Sequence, residues 1–432
     1  MGDDLKEKAR GLIRRFKGDR YAFGLGAIEQ AGDLAGQLGG RFFIVRGHSC
    51  EGNGMLNGLK TAFEQDGLPI VGECMGAAPN SPIEDVERVR DRIVEAEPDA
   101  VVGLGGGSLI DALKGSVVLA DLGGTCEDCY GVDRVTQKME QAGVDRLTPI
   151  LAVMTASASA AHLTKYANIT NTATMQKKLF IDEAVVPPAA LFDYRATITM
   201  PEEFTKVGAF DGICHILEVF FGTPATHPRW DTLTEIAEAG LELIIGALPG
   251  AVEDPKDEPR REAIGLGTDL GGYAIMIGST SGPHLNSFSL VDVMDHGKAT
   301  ALLMPYYTAF FAPAIQDDLL LVGGIYQKQG YIDESVDLKK LPGIELGRVV
   351  GRGMAALAES VGFPTRLDDV EGFKDEHVDR MLSAAKDPAL ESKLQGMPVA
   401  LTPDEVDRYM GSVLEAARAG DFTCIEPHED YA

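Results

Sequence analysis

The stretch VVGLGGGSLIDALKG, residues 101–115, constrains the fold more than any other part of the chain. AVVGL (100–104) is a short apolar run suited to a buried strand, GGGS (105–108) is a turn, and LIDALKGSVVLA (109–120) has helical spacing. The same alternation precedes it. RFFIVR (41–46) stops at Gly47, LNGLKTAFEQDG (56–67) has helical period, and residues 70–72 form a short apolar piece. SPIEDVERVRDRIVEAEP (81–98) reads as an amphipathic helix with Ser81 as N-cap, Pro82 in the first turn and Glu84 three positions after the cap. TPILAVM (148–154) is a further apolar strand. Strands that alternate with helices are joined by crossovers, so they pair in parallel and are covered on both faces. The expected N-terminal domain is therefore α/β, a Rossmann-like, doubly wound parallel sheet.

The glycine turn also carries chemistry. Gly105, Gly106 and Gly107 have no Cβ, so their N–H groups can approach an anion, and the following helix adds roughly half a positive charge. With Ser108 this makes a pyrophosphate cradle; the flanking strand and helix favour that over a merely structural turn. Asp111, in the first helical turn, reads as a helix-dipole partner. A second loop, RGHSCEGNG (46–54), follows an early strand, where an adenosine ribose is commonly met. A carboxylate there would bond the 2′-hydroxyl and repel a 2′-phosphate. Arg46, Gly47 and Ser49 instead offer charge, space and a hydroxyl, which leans toward NADP(H) over NAD(H).

From about residue 199 the pattern turns helical and stays so to Ala417. ALTPDEVDRYMGSVLEAARAG (400–420) reads as one amphipathic helix capped at Thr402. The boundary is expected near 197, in a proline-containing stretch, giving an α/β domain over 1–197 and an all-α domain over 198–432.

FDGICHILEVF places Asp211 and His215 at i, i+4, on one helix face, able to chelate a divalent ion or to pair with each other. The neighbours are apolar, and a buried carboxylate needs a partner. His284 and His296 stand twelve positions apart. On one continuous helix that is about 18 Å and a rotation of roughly 120°, so a shared ion requires a break between them. SLVDVMDHG allows one: LVDV alternates, Asp295 can cap, and a new helix can start near His296. Spacing alone leaves joint ligation open.

With 39 basic and 66 acidic residues, the net charge is −27. That repels phosphate backbones and anionic lipid, so nucleic-acid and membrane partners are not expected. The first residues lack the apolar core of a secretory signal, Lys6 stands where a myristoylation signal needs Ser or Thr, and no apolar run reaches the ~18 residues of a membrane span. Six scattered cysteines fit a reducing compartment, so the expected location is cytoplasmic. Cys126 and Cys129 form a single CxxC enclosing two acids and read as reduced surface cysteines.

Taken in order, these motifs resemble the iron-containing (group III) alcohol dehydrogenases, relatives of the dehydroquinate synthases. VVGLGGGSLIDALKG is similar to that family's phosphate turn, FDGICHILE to its DxxxH metal helix, and HGKATALLMPY to the segment with its last metal histidine. MTASASAAHLT, VPPAALFDY and the C-terminal helix region also find counterparts, so the likeness spans nearly the whole chain. It implies a dehydroquinate synthase-like architecture and one Fe2+, with Zn2+ as the alternative, held by Asp211, His215, His284 and His296. It places Thr155, Ser157, Ser159 and His162 along the nicotinamide and phosphates, with His162 as a candidate proton relay. The RGHSCEGNG loop resembles that of NADP-preferring members.

The implied reaction is reversible oxidation of a small alcohol to an aldehyde or ketone by a homo-oligomer, a dimer or larger. The chain departs from the pattern in a shorter interval before His296, in Phe288 where another histidine often stands, and in Ala158, Ala160, Ala161 and His162 within the loop. By match, His296 is the closer counterpart and His284 must reach the ion across a shortened segment. Two alternatives are a dehydroquinate synthase-like lyase, which needs more Lys and Arg than residues 211–300 hold, and a non-catalytic nucleotide-binding relative.

Overall fold

The computed structural model describes residues 2–431. The strands are β1 (Tyr21–Gly24), β2 (Phe42–Arg46), β3 (Ile70–Met75), β4 (Ala100–Gly105), β5 (Gly131–Val132), β6 (Ile150–Met154), β7 (Tyr166–Asn171), β8 (Gln176–Ile181) and β9 (Ala189–Asp193). Six of them form an all-parallel sheet in the order β1-β9-β6-β4-β2-β3. The interior strands β4, β6 and β9 are buried at every residue. This is why they read as continuous apolar runs rather than as alternating ones: helices cover both faces. The helices are α1 (Asp3–Lys17), α2 (Ala31–Gly36), α3 (Met55–Gln65), α4 (Ile83–Ala96), α5 (Gly107–Leu122) and α6 (Arg134–Ala142). A small second sheet, β5-β8-β7, contains the antiparallel hairpin β7–β8. The sequence reading did not anticipate this hairpin, because YANITN and QKKLFI mix polar and apolar residues too finely for either period.

The helices that follow are α7 (Glu202–Gly222), α8 (Trp230–Glu253), α9 (Glu258–Ile277), α10 (Gly282–Ser287), α11 (His296–Phe311), α12 (Gln316–Lys328), α13 (Gly343–Ser360), α14 (Asp375–Ala385), α15 (Glu391–Gln395) and α16 (Gly411–Ala419). α7 is buried continuously from Thr205 to Phe221, so it is a central helix and not an amphipathic surface one. α11 packs on α10, α13 and α16.

The chain forms two compact units. One is α/β, Arg10–Glu202 with Asp254–Gly265; the other is helical, Met1–Ala9, Glu203–Glu253 and Leu266–Ala432. A single cut at 197 leaves out two exchanges. Lys8 pairs with Glu238 of α8 at 2.8 Å inside the helical unit. In the α/β unit Arg10 meets Glu262 at 2.5 Å, and a Cβ on Gly265 would lie 2.4 Å from the Tyr194 ring, so only glycine fits there.

Three local expectations are corrected. Ser81 is not the cap of α4, which starts at Ile83 after Pro82. Ser81 sits at φ +52, and its hydroxyl donates to the Ser108 carbonyl at 2.8 Å. The 400–420 segment opens with a turn in which the Thr402 N–H and hydroxyl donate to Glu405, at 2.8 and 2.7 Å. One wider helical turn, Val406–Met410, then precedes α16. Cys126 and Cys129 are not at the surface: they are 1% and 0% exposed, packed with Val86, Val135 and Phe180. Burial, then the neighbouring Cys129, pushes the Cys126 thiol up to about 12. Among the described residues no helix is long and apolar enough to cross a membrane.

Candidate metal centre and nucleotide cradle

The question posed by His284 and His296 is answered by the backbone. His284 lies on the short helix α10, residues 288–295 form turns, and α11 starts at His296. The break brings His284 onto the Asp211–His215 face of α7. Donor atoms of Asp211, His215 and His284 all lie within 4.8 Å of one another, and all three residues are buried. Asp211 Oδ1 is 3.9 Å from Nε2 of His215 and 3.9 Å from Nε2 of His284. That is too long for a hydrogen bond. It is comparable with the separation of two ligands bound at ~2 Å to one ion. The His215 and His284 rings stack with centroids 4.7 Å apart.

Asp211 Oδ1, His284 Nε2 and His215 Nδ1 are buried without hydrogen-bond partners. Asp211 Oδ1 and His284 Nε2 face each other across 3.9 Å, and two orphaned polar atoms on one point are costly unless something fills it. The His215 nitrogen nearest Asp211 is Nε2, not the orphaned Nδ1. Burial, opposed by Asp211, lowers the His215 imidazole to about 4, so it stands neutral with a lone pair to give. A carboxylate with imidazoles suits iron and zinc alike. The residues therefore fit a divalent ion.

The surrounding bonds fix the tautomers. His284 Nδ1 bonds to Glu218, which also accepts from the Ser281 N–H at 2.7 Å. Glu218 is 0% exposed, and despite that burial His284 beside it holds its carboxyl below the usual range. His284 thus spends its N–H on Glu218 and presents Nε2 to Asp211. Ser287 donates its hydroxyl proton to the His284 carbonyl at 2.7 Å, so its oxygen accepts from His296 Nδ1 at 2.8 Å. His296 then carries its lone pair on Nε2. Its ring stands edge-on to that of His284, centroids 4.9 Å apart, and Phe288 stacks on it at 5.6 Å and 9°. His296 is adjacent to the three-donor set without belonging to it.

Gly297 explains the HG pair. A Cβ there would lie 2.9 Å from Val207 Cγ1 and from the Val207 carbonyl, and 3.0 Å from Asp211 Cβ. Only glycine lets the start of α11 press on α7 at Asp211. Glu218 and Ser287 were not singled out from the sequence. Glu218 left a trace: it is the one carboxylate in the apolar run HILEVFF, three positions after His215.

In the α/β unit the loops after β2, β4 and β6 meet at the carboxyl ends of those strands. The Gly47 N–H donates to the Leu104 carbonyl at 2.9 Å, and the Thr155 N–H to the Gly105 carbonyl at 3.1 Å. A Cβ on Gly107 would lie 2.4 Å from Ser159 Oγ, so the 155–160 loop lies directly on the glycine turn. Ser157 Oγ and Ser159 Oγ are buried without partners, hydroxyls available to a ligand. Ser108 has an internal task as well: its hydroxyl accepts the Asn80 N–H at 3.1 Å.

Arg46 is not an uncommitted cation. It pairs with Glu51 at 3.0 Å and Glu73 at 3.4 Å, and Ser49 lies in the turn that follows it. Asp111 does more than face a helix dipole: it is buried, accepts from the Asn168 amide at 3.0 Å, and burial raises its carboxyl. His162 is 1% exposed, Nε2 against the Tyr21 hydroxyl at 2.9 Å and ring edge-on to Phe192. This placement supports packing beneath the loop, and His162 is not among the metal donors.

A parallel sheet with a glycine cradle in one unit, and a buried carboxylate with imidazoles in a helical unit, are the parts of a dehydroquinate synthase-like fold. The solved structure of a 1,3-propanediol oxidoreductase superposes with a TM-score of 0.79 at 22% identity, over 92% of this chain and 98% of that one. The profile "Iron-containing alcohol dehydrogenase" matches residues 18–194, and "Fe-containing alcohol dehydrogenase family, C-terminal" matches 205–410. The chain belongs to the iron-containing alcohol dehydrogenase family. Alcohol dehydrogenase 4 of Schizosaccharomyces pombe is 27% identical over 60% of this chain, a match that spans 58% of the yeast protein. The NAD-dependent methanol dehydrogenase of Bacillus methanolicus is 27% identical over 66% of this chain and 73% of its own.

Proposed function

We propose that the chain is a metal-dependent, nicotinamide-linked alcohol dehydrogenase that interconverts a small alcohol and its aldehyde or ketone. Fe2+ is the first candidate ion and Zn2+ the second. The observation that carries this reading is the buried convergence of Asp211, His215 and His284, with Asp211 Oδ1 and His284 Nε2 unpartnered. A bound ion supplies Lewis acidity toward an alcohol or carbonyl oxygen, and a bound nicotinamide supplies the hydride acceptor or donor.

The chain's own residues do the rest. Asp211 and His215 hold two ligand positions on one face of α7. Glu218 fixes the His284 tautomer and aims Nε2, while Ser287 and Phe288 orient His296, the fourth candidate ligand. In the α/β unit, Gly105, Gly106, Gly107 and Ser108 cradle the pyrophosphate at the start of α5. Thr155, Ser157 and Ser159 close over it. Gly47 leaves room for a 2′-phosphate and Arg46 with Ser49 would receive it, in competition with Glu51 and Glu73. The reading is NADP(H) over NAD(H) by a modest margin. A homo-oligomer, dimer or larger, is part of the same proposal.

The test is reduction of NADP+ and NAD+ over a panel of small alcohols after anaerobic loading with Fe2+ or Zn2+. Turnover by the loaded wild type and none by Asp211→Ala is expected. Equal rates from metal-free and loaded protein would overturn the reading.

A further inference from the structure

We propose that Arg380 of α14 is a positioning residue for the metal centre: it latches the turn between the two histidine-bearing helices and so sets how tightly the donors hold a divalent ion. This rests on the metal reading above.

α10 has six residues, too few to hold a helix by itself. Residues 288–295, which follow it, are turns whose main-chain bonds are local: Ser289 and Leu290 donate back to Asn286 and Ser287 at 3.1 Å, and Val293 and Met294 to Leu290 at 3.0 Å. Glu218 holds the His284 ring itself, while the placement of this turn, and with it of the start of α11, depends on contacts from other elements. Arg380 does so in three places. Its Nε donates to the Ser289 carbonyl at 2.7 Å, its Nη1 to Asp292 Oδ2 at 3.2 Å, and its Nη2 to Asp292 Oδ1. His377, one turn earlier on α14, lies with Nε2 3.7 Å from Asp292 Oδ2 and is buried.

Ser289 directly follows Ser287 and Phe288, two residues that touch His296. The carbonyl that Arg380 grips thus lies one and two residues from Phe288 and Ser287, which orient the His296 ring, and five residues from His284. Only a guanidinium can engage both carboxylate oxygens and a main-chain carbonyl with one planar fork. Arg380 and Asp292 are each 30% exposed, so the pair adds little to global stability. Its effect is on placement. Arg366 and Asp369, an exposed fork of the same chemistry in the helical unit, provide the contrast, since Arg366 forks onto a carboxylate three residues away on its own segment instead of onto the turn.

The experiment is Zn2+ titration of metal-free protein, with hydrogen–deuterium exchange of residues 284–297 in the same metal-free samples. Arg380→Ala should weaken Zn2+ binding on the order of 10-fold, the usual cost of losing an outer-shell partner. It should also speed exchange in 288–295. Arg380→Lys should recover part of the affinity, and Arg366→Ala should leave both readouts at wild type. Asp292→Asn, which spares the bond to Ser289, should show a smaller loss in the same direction and stands in if Arg380→Ala does not fold.

Zn2+ affinity of Arg380→Ala within about 2-fold of wild type, with unchanged exchange, overturns the latch while leaving the metal reading in place. An equal loss in Arg366→Ala overturns it too, because the effect would then be general destabilisation. Wild type that binds no Zn2+ or Fe2+ overturns the metal reading, and the latch's role with it.

Discussion

In the helical unit the candidate site is made of side-chain atoms: Asp211, His215 and His284 bring donors together, and Asp211 Oδ1 and His284 Nε2 are left without hydrogen bonds. In the α/β unit the candidate site is mostly main chain that glycine leaves uncovered, with Ser157 and Ser159 as its side-chain complement. The two constructions have opposite weaknesses. The first is broken by removing atoms, because no backbone group can replace a carboxylate or an imidazole. The second is broken by adding atoms, because a single methyl on Gly107 would meet Ser159 Oγ at 2.4 Å and push away the loop that lies on the turn.

The largest expected effect follows from removing the shared acceptor. Asp211→Ala should lower metal affinity by more than about 100-fold, read as metal content after anaerobic gel filtration, with nucleotide binding unchanged. Adding a methyl at Gly107 comes next. The new Cβ would meet Ser159 Oγ at 2.4 Å, so Gly107→Ala should raise the KM for the nicotinamide roughly 10-fold at full metal content. Metal loss in that variant would break the comparison.

Gly297→Ala sharpens it, because it adds atoms in the side-chain site. Contacts of 2.9 Å to Val207 and 3.0 Å to Asp211 Cβ should cost about 1–3 kcal/mol of stability, measured by denaturant unfolding of the metal-free protein, together with weaker metal binding. A smaller effect is expected at Arg46. Glu51→Gln removes one of its two acidic partners, and the kcat/KM ratio of NADP+ to NAD+ should rise about 2-fold, as loss of one exposed pair allows. The smallest concerns Ala160, held at φ +49. Ala160→Gly relieves that left-handed backbone and should stabilise the metal-free protein by about 1 kcal/mol, seen as a higher Tm.

How much of this was legible in the sequence follows the same division. The glycine cradle is contiguous, and its strand and helix appear in the expected order, with the helix opening at Gly107, two residues before the expected Leu109. The break between His284 and His296 was legible too, because one helix could not bring both to one ion and LVDV with Asp295 and Gly297 supplied a place to stop. What was not legible lay between distant residues. Glu218, which bonds His284 Nδ1, went unread because it stands on α7, far from His284 in sequence. Arg46 read as an available cation because Glu73 stands on another strand, and strand neighbours are not visible in sequence order. Ser81 read as a helix cap because its hydroxyl's true partner, the Ser108 carbonyl, is far along the chain. The β7–β8 hairpin was missed for want of a clean period.

The most direct test is the stoichiometry of divalent metal on the full chain after anaerobic loading with Fe2+ or Zn2+, compared between wild type, Asp211→Ala and His284→Ala. The account predicts one ion per chain in wild type and none retained by either variant while both remain folded. Wild type that holds no ion, or an Asp211→Ala variant that holds it as tightly as wild type, would contradict it.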